Sequence, residues 1–173
     1  MSTNRVLIES KTVGAGGTAS ISFTNIPQTY THLQIRGILR ATGATYETNS
    51  RIQFNSDTSS VYTNHLVIGN GSSAASGNDV GLAYAIINSI PAASNTAGIF
   101  GPSVFDILDY SNTNKFKTIR NLTGWDNNGG PNNSVGLWSG LWRSTSAITS
   151  IKLFPNTGNF AEYSSLALYG IKG

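Results

Sequence analysis

Over residues 26–40 the chain reads IPQTYTHLQIRGILR, in which Leu33, Ile35, Gly37 and Leu39 alternate with His32, Gln34, Arg36, Ile38 and Arg40. A side-chain period of two is what a strand needs when one face rests on a core and the other meets water. The stretch therefore predicts a long strand with Leu33 on its buried side. Pro27 has no N–H for a ladder and holds Ile26 extended, so a turn should precede this strand.

The same rhythm recurs along the chain. Strands are expected over residues 5–9, 18–24, 50–55, 81–87, 103–110, 115–125, 135–143 and 147–154, with a last one carrying Leu166 and Leu168 on one side. The glycines of residues 13–17 read as a hairpin turn, because no Lys-Ser/Thr pair or helix follows them as a phosphate loop demands. Asp57 is positioned to cap a short helical turn over residues 57–68. Residues 69–78 are low in complexity and read as a long exposed loop, and residues 126–133 as a dense Asn/Gly turn. Nine or ten short strands with almost no helix predict an all-β antiparallel β-sandwich. A jelly roll is favoured over an immunoglobulin-like sandwich by the strand number and the missing Cys–Trp–Cys pattern. No composition shift divides residues 1–173, so one domain is expected.

The net charge of +3 arises from only 11% charged residues. A basic isoelectric point near 9.3 suggests nucleic acid, but the 11 Lys and Arg are scattered, without the clustered footprint that phosphate binding needs. No nucleic-acid partner is expected. The lack of cysteine excludes a disulfide framework and thiolate chemistry. Val6-Leu7-Ile8 is too short for a signal-peptide core or a membrane span, so neither export nor a membrane partner is expected.

His32 and His65 could supply at most half a zinc site, and His32 falls on the polar side of its strand. Asp106 and Asp109, three apart on a strand, point to opposite faces and make a poor acid/base pair. No catalytic motif, metal set or cofactor site is present in the sequence, and none is expected. The chemically conspicuous segment is residues 135–142, where Val135, Leu137 and Leu141 face one way while Gly136, Trp138, Gly140 and Trp142 face the other. Both faces call for cover, by the sandwich and by a loop or second subunit. The expected contact residues are Trp138 and Trp142 with Asn70, Ser72, Asn127 and Asn128. A sugar-stacking platform formed by the two tryptophans with Asn127, Asn128, Asn132 and Asn133 is the competing reading.

Val6-Leu7-Ile8, residues 23–35 (FTNIPQTYTHLQI) and the terminal Leu168-Tyr169-Gly170-Ile171 together resemble a pattern in small virion structural proteins of tailed bacteriophages. There an I-P-x-x-Y-x-x-L-x-I segment follows the second strand and the last strand ends in L-Y-G-I. The likeness anchors both ends of the chain, leaving about residues 55–133 without a matching motif. It implies a jelly-roll-like, oligomeric module on the virion, made in the host cytoplasm and without catalytic residues. Within that class a capsid decoration (cement) protein fits better than a tail or fibre component, because the chain has no heptads or repeats for a shaft. Partners would be the major capsid protein and further copies, with a trimer letting the Trp138/Trp142 face meet its equivalents. A glycan is a partner only under the fibre or carbohydrate-module alternative.

Overall fold

The structure is a computed structural model and describes residues 4–127 and 133–173. Twelve strands account for its regular structure: β1 (Arg5–Thr12), β2 (Ile21–Phe23), β3 (His32–Leu39), β4 (Glu47–Phe54), β5 (Tyr62–Gly69), β6 (Ala74–Leu82), β7 (Ala85–Pro91), β8 (Gly101–Ile107), β9 (Lys117–Trp125), β10 (Ser134–Trp142), β11 (Ile151–Pro155) and β12 (Ser165–Ile171). No helix occurs among the described residues. All ladders are antiparallel.

One sheet runs β1-β12-β3-β8-β9-β10-β5-β6 and the other β2-β11-β4-β7. The first four strands of the wide sheet and the whole narrow sheet exchange chain at β1/β2, β3/β4, β7/β8 and β11/β12. That interleaving is the double Greek key of a jelly roll. Two hairpins, β5–β6 and β9–β10, are inserted into it. They pair with each other through β10 and β5 and extend the wide sheet beyond the narrow one.

The core lies between the sheets. Leu33, Ile35 and Leu39 of β3 are buried against Ile107, Phe105, Leu166 and Leu168, as the alternation predicts. Each such side chain contributes about 1.5–3 kcal/mol through burial. Gly37 is required where β3 meets β12, since a Cβ there would collide with the Ser165 carbonyl.

Several expectations are corrected. The glycines at 13–17 do not close a hairpin: β1 and β2 belong to different sheets, and Gly16 and Gly17, at φ +85° and +76°, turn the chain from one to the other. Residues 57–68 hold no helical turn. Asp57 accepts from the amide of Ser59 at 2.9 Å, making an Asx turn, and the β-branched and aromatic run that follows becomes β5. The loop expected over residues 69–78 is a tight turn followed by β6. The Asn70 amide donates to the Ser73 carbonyl at 3.2 Å, and Gly71 supplies the left-handed φ of +88°. The strand expected over residues 81–87 is divided, β6 ending at Leu82 and β7 beginning at Ala85 in the other sheet.

Leu33→Asp places an unpaired carboxylate in this interior and should lower stability by roughly 4 kcal/mol or more, measured by chemical denaturation. An unchanged midpoint would mean that the strand register is off by one.

Candidate functional site

The inserted hairpins position the residues singled out in the sequence. On β10 the alternation turns Gly136, Trp138, Gly140 and Trp142 inward and leaves Val135 and Leu137 exposed. Trp142 stacks on Tyr62 with ring centroids 6.3 Å apart and 17° between planes, and packs at 5.5 Å against Phe54. Its indole N–H donates to Asp57 Oδ2 at 2.8 Å. The Tyr62 hydroxyl accepts from the Phe54 amide at 3.0 Å, and burial pushes its pKa up to about 12. Trp138 folds back over Gly136, where any Cβ would strike the indole. Its buried N–H has no protein acceptor among the described residues, nor does Asn121 Oδ1 have a donor, although the two residues face each other in the β9–β10 register.

Both tryptophans are thus 2% exposed. This corrects the expectation that they meet a second copy or a sugar: neither indole face is open. The side of β10 left open is the opposite one, and Gly136 is what gives the Trp138 ring its room on the inner side.

On the outer side, Val67, Leu137, Leu122 and Val104 form one row across β5, β10, β9 and β8. Val67, Leu137 and Leu122 are 51%, 44% and 60% exposed, so the row is an open apolar stripe. The neighbouring row is polar. Arg120 donates to Asp106 at 2.9 Å, Gln34 to the other oxygen of Asp106 at 2.8 Å, and Arg5 to Gln34 at 3.1 Å. Arg5 also lies over the Tyr169 ring at 5.2 Å.

Asn70 and Asn127 lie toward one end of the wide sheet. Asn70 Oδ1 accepts from the amides of Ser72 and Ser73 at 3.0 and 2.8 Å, so it closes the turn in which the exposed Ser72 sits. The Asn127 amide donates to Asn133 Oδ1 at 2.6 Å, and its own Oδ1 accepts from Thr96 at 3.0 Å. Asn128 and Asn132 lie outside the described residues. Glu47, Ile68, Asn70, Ser73, Asn133 and Ser134 border a cleft of about 170 Å³ here, with the Glu47 carboxylate accepting from Ser89 at 2.9 Å.

The other polar groups bind the scaffold. His32 Nδ1 accepts from the Asp109 amide at 2.9 Å. Lys115, donating to Asp109 Oδ2 at 2.6 Å, holds that carboxyl below the usual carboxylate range. Lys117 is fully buried and donates to the carbonyls of Asn112, Lys115 and Thr145; burial lowers its pKa, against the pull of Asp109. Among the described residues no group of three or more His, Asp or Glu is placed to hold a metal ion.

The segments that carry the resemblance are in contact. Tyr30 lies flat against Gly170, where a Cβ would enter its ring. The Thr31 amide donates to the Ile171 carbonyl at 2.9 Å, and the Gly173 amide to Thr31 Oγ1 at 3.0 Å. Tyr110 donates to the Pro27 carbonyl. The sequence reading missed the apolar stripe, although the aliphatic side of residues 135–141 was its signal. It also missed the β6 edge, which has none. Neither the scan against protein-family models nor the search of curated proteins finds a match.

Hydrogen bonds from the Ser59 hydroxyl, and from Trp142 and the Ser59 amide against the opposing effect of burial, hold the Asp57 carboxyl below its usual range. A lowered folded pKa adds stability that is complete above the unfolded value near 4 and is lost as pH falls through the folded value. Asp57→Ala should therefore cost about 1–3 kcal/mol at neutral pH by orphaning the Trp142 donor, and should flatten the acid limb of the stability profile. Denaturation midpoints from neutral pH down to pH ~2 measure both. In the same assay Trp142→Phe should cost about 1 kcal/mol more than Trp138→Phe, because only the former removes a made hydrogen bond.

Proposed function

We propose that the protein is a non-enzymatic structural protein of a tailed-bacteriophage virion, most closely a capsid decoration (cement) protein. The observation that carries this reading is the contact between Tyr30 and Gly170. Motifs from opposite ends of the chain, each short enough to recur by chance, belong to one packed unit closed by the Thr31–Ile171 hydrogen bond. Shared motifs that interlock in space carry more weight than two separate matches.

The physics of the outer face supports the same role. A broad eight-stranded surface with an apolar row beside a hydrogen-bonded polar row suits docking on another protein. Every contact made only in the assembled shell shifts the equilibrium towards the shell. The partners would be the major capsid protein and further copies of this chain.

The cleft beside Glu47, Asn70 and Asn133 favours a second reading, a carbohydrate-binding tail or fibre component. Its carboxylate and amides are groups that hydrogen-bond sugar hydroxyls, although no tryptophan opens onto it.

Quantitative mass spectrometry of purified particles should find the chain in fixed ratio to the major capsid protein. Particles stripped of it should release DNA at lower temperature, and Leu137→Glu on the exposed row should prevent rebinding without altering the fold. Absence of the chain from particles would overturn the reading, while presence only in tail fractions together with glycan binding would favour the second.

A further inference from the structure

β6 is an edge strand, and residues 74–81 are exposed on both faces. The other three edges are protected in ways that natural sheets use against unwanted pairing. β1 carries Arg5, Glu9 and Lys11, the last two ion-paired at 3.1 Å. β2 is only three residues long. β7 is almost wholly buried beneath the overhanging wide sheet and ends in Pro91. β6 has none of these: AASGNDVGL contains no Lys, Arg or Pro and a single charge, Asp79.

The register identifies which backbone groups are free. The 70/73 pair that closes the hairpin is hydrogen-bonded, and antiparallel ladders alternate bonded and non-bonded pairs. Pairs 68/75, 66/77 and 64/79 are therefore bonded in the regular ladder. Ala75, Gly77 and Asp79 direct their N–H and C=O groups to β5, while Ala74, Ser76 and Asn78 direct theirs to the open edge.

We propose that β6 is a homotypic pairing edge, joining a second copy of this chain antiparallel about a two-fold axis at Ser76. Ser76 then faces its own equivalent and Ala74 faces Asn78 of the other copy, matching every free donor with an acceptor. The charges permit it. Asp79 of each copy comes opposite Ser73, with the two carboxylates six residues apart along the strands, about 20 Å, beyond the screening length of roughly 8 Å at physiological salt. Asp79 is also engaged by Asn64 at 3.0 Å. The small side chains put no bulk in the path of the approaching strand. Pairing consumes the one unguarded edge among the described residues, so association closes at two copies instead of growing into a fibre. A strand edge pairs one to one, which makes the order two rather than the three expected from sequence.

The inference gives a surface to the self-association in the proposed function and rests on that reading only for its biological setting, since it is tested in solution without particles. Sedimentation equilibrium of the full chain from micromolar to millimolar concentration should show a monomer–dimer equilibrium. Ser76→Pro removes an outward N–H without touching the β5 ladder, a position where an edge strand tolerates proline. It should give monomer throughout, with circular dichroism and melting temperature unchanged. Ser76→Cys, in a chain with no other cysteine, should be joined into dimers by a short thiol crosslinker. A wild-type monomer at every concentration would overturn the proposal, as would a Ser76→Pro variant that still associates. If that variant fails to fold, absence of Ser76→Cys crosslinking above the level of a Ser10→Cys control on β1 overturns it instead.

Discussion

An eight-stranded sheet and a four-stranded sheet share one interior, so the inward side chains of the wider sheet compete for the limited cover that the narrower one gives. Each strand meets this demand differently. Over β9 and β10 the cover is β7, which packs against both. Because β7 brings polar groups, the inner positions opposite it include Asn121, whose amide donates to the Ile87 carbonyl at 2.6 Å. At β5 the cover is aromatic, Tyr62 lying within the Phe54 and Trp142 cluster. At β6 only Leu82, at its end, packs against the core, and over residues 74–77, which are exposed, the side chains shrink to Ala, Ser and Gly.

The outer surface follows a complementary logic. Arg120, Asp106, Gln34 and Arg5 link β9, β8, β3 and β1 by side chains, tying the inserted strand β9 to the jelly-roll half of the wide sheet. Individually such exposed pairs contribute little. Together they hold long side chains to one another beside the apolar row, whose Val67, Leu137 and Leu122 stay exposed. The inserted hairpins therefore do two things at once: they complete the core through Trp142 and enlarge the exposed face of the wide sheet.

How much of this was legible depends on whether a strand has one buried face. β3 and β12 do, and their alternation predicts both their existence and the side that turns inward; β9 is legible only as a strand, because Lys117 and Asn121 are buried on it while Leu122 is exposed. β5 is blurred because Asn64 points inward beside Tyr62 while Val67 points outward, so polarity no longer marks the side. β6 buries neither face and has no rhythm to read. β10 is apolar on both faces, and hydropathy alone does not choose between them. The choice goes with Gly136, whose missing side chain makes room for the Trp138 indole, and Gly140, whose Cβ would press on Ala85 and Ile119, both on the inner side. The Tyr30–Gly170 contact was visible only as two separate motifs, because nothing in a linear sequence shows that β3 and β12 are neighbours.

The central claim is that the inserted hairpins form a true continuation of the wide sheet, with β6 paired on one side and open on the other. Residue-resolved amide hydrogen exchange, at a dilution where the chain is monomeric, tests it most directly. The account predicts alternation along residues 74–79, with the amides of Ala75, Gly77 and Asp79 protected and those of Ala74, Ser76 and Asn78 exchanging fast. Uniformly fast exchange over the six residues would identify a loop and contradict the account.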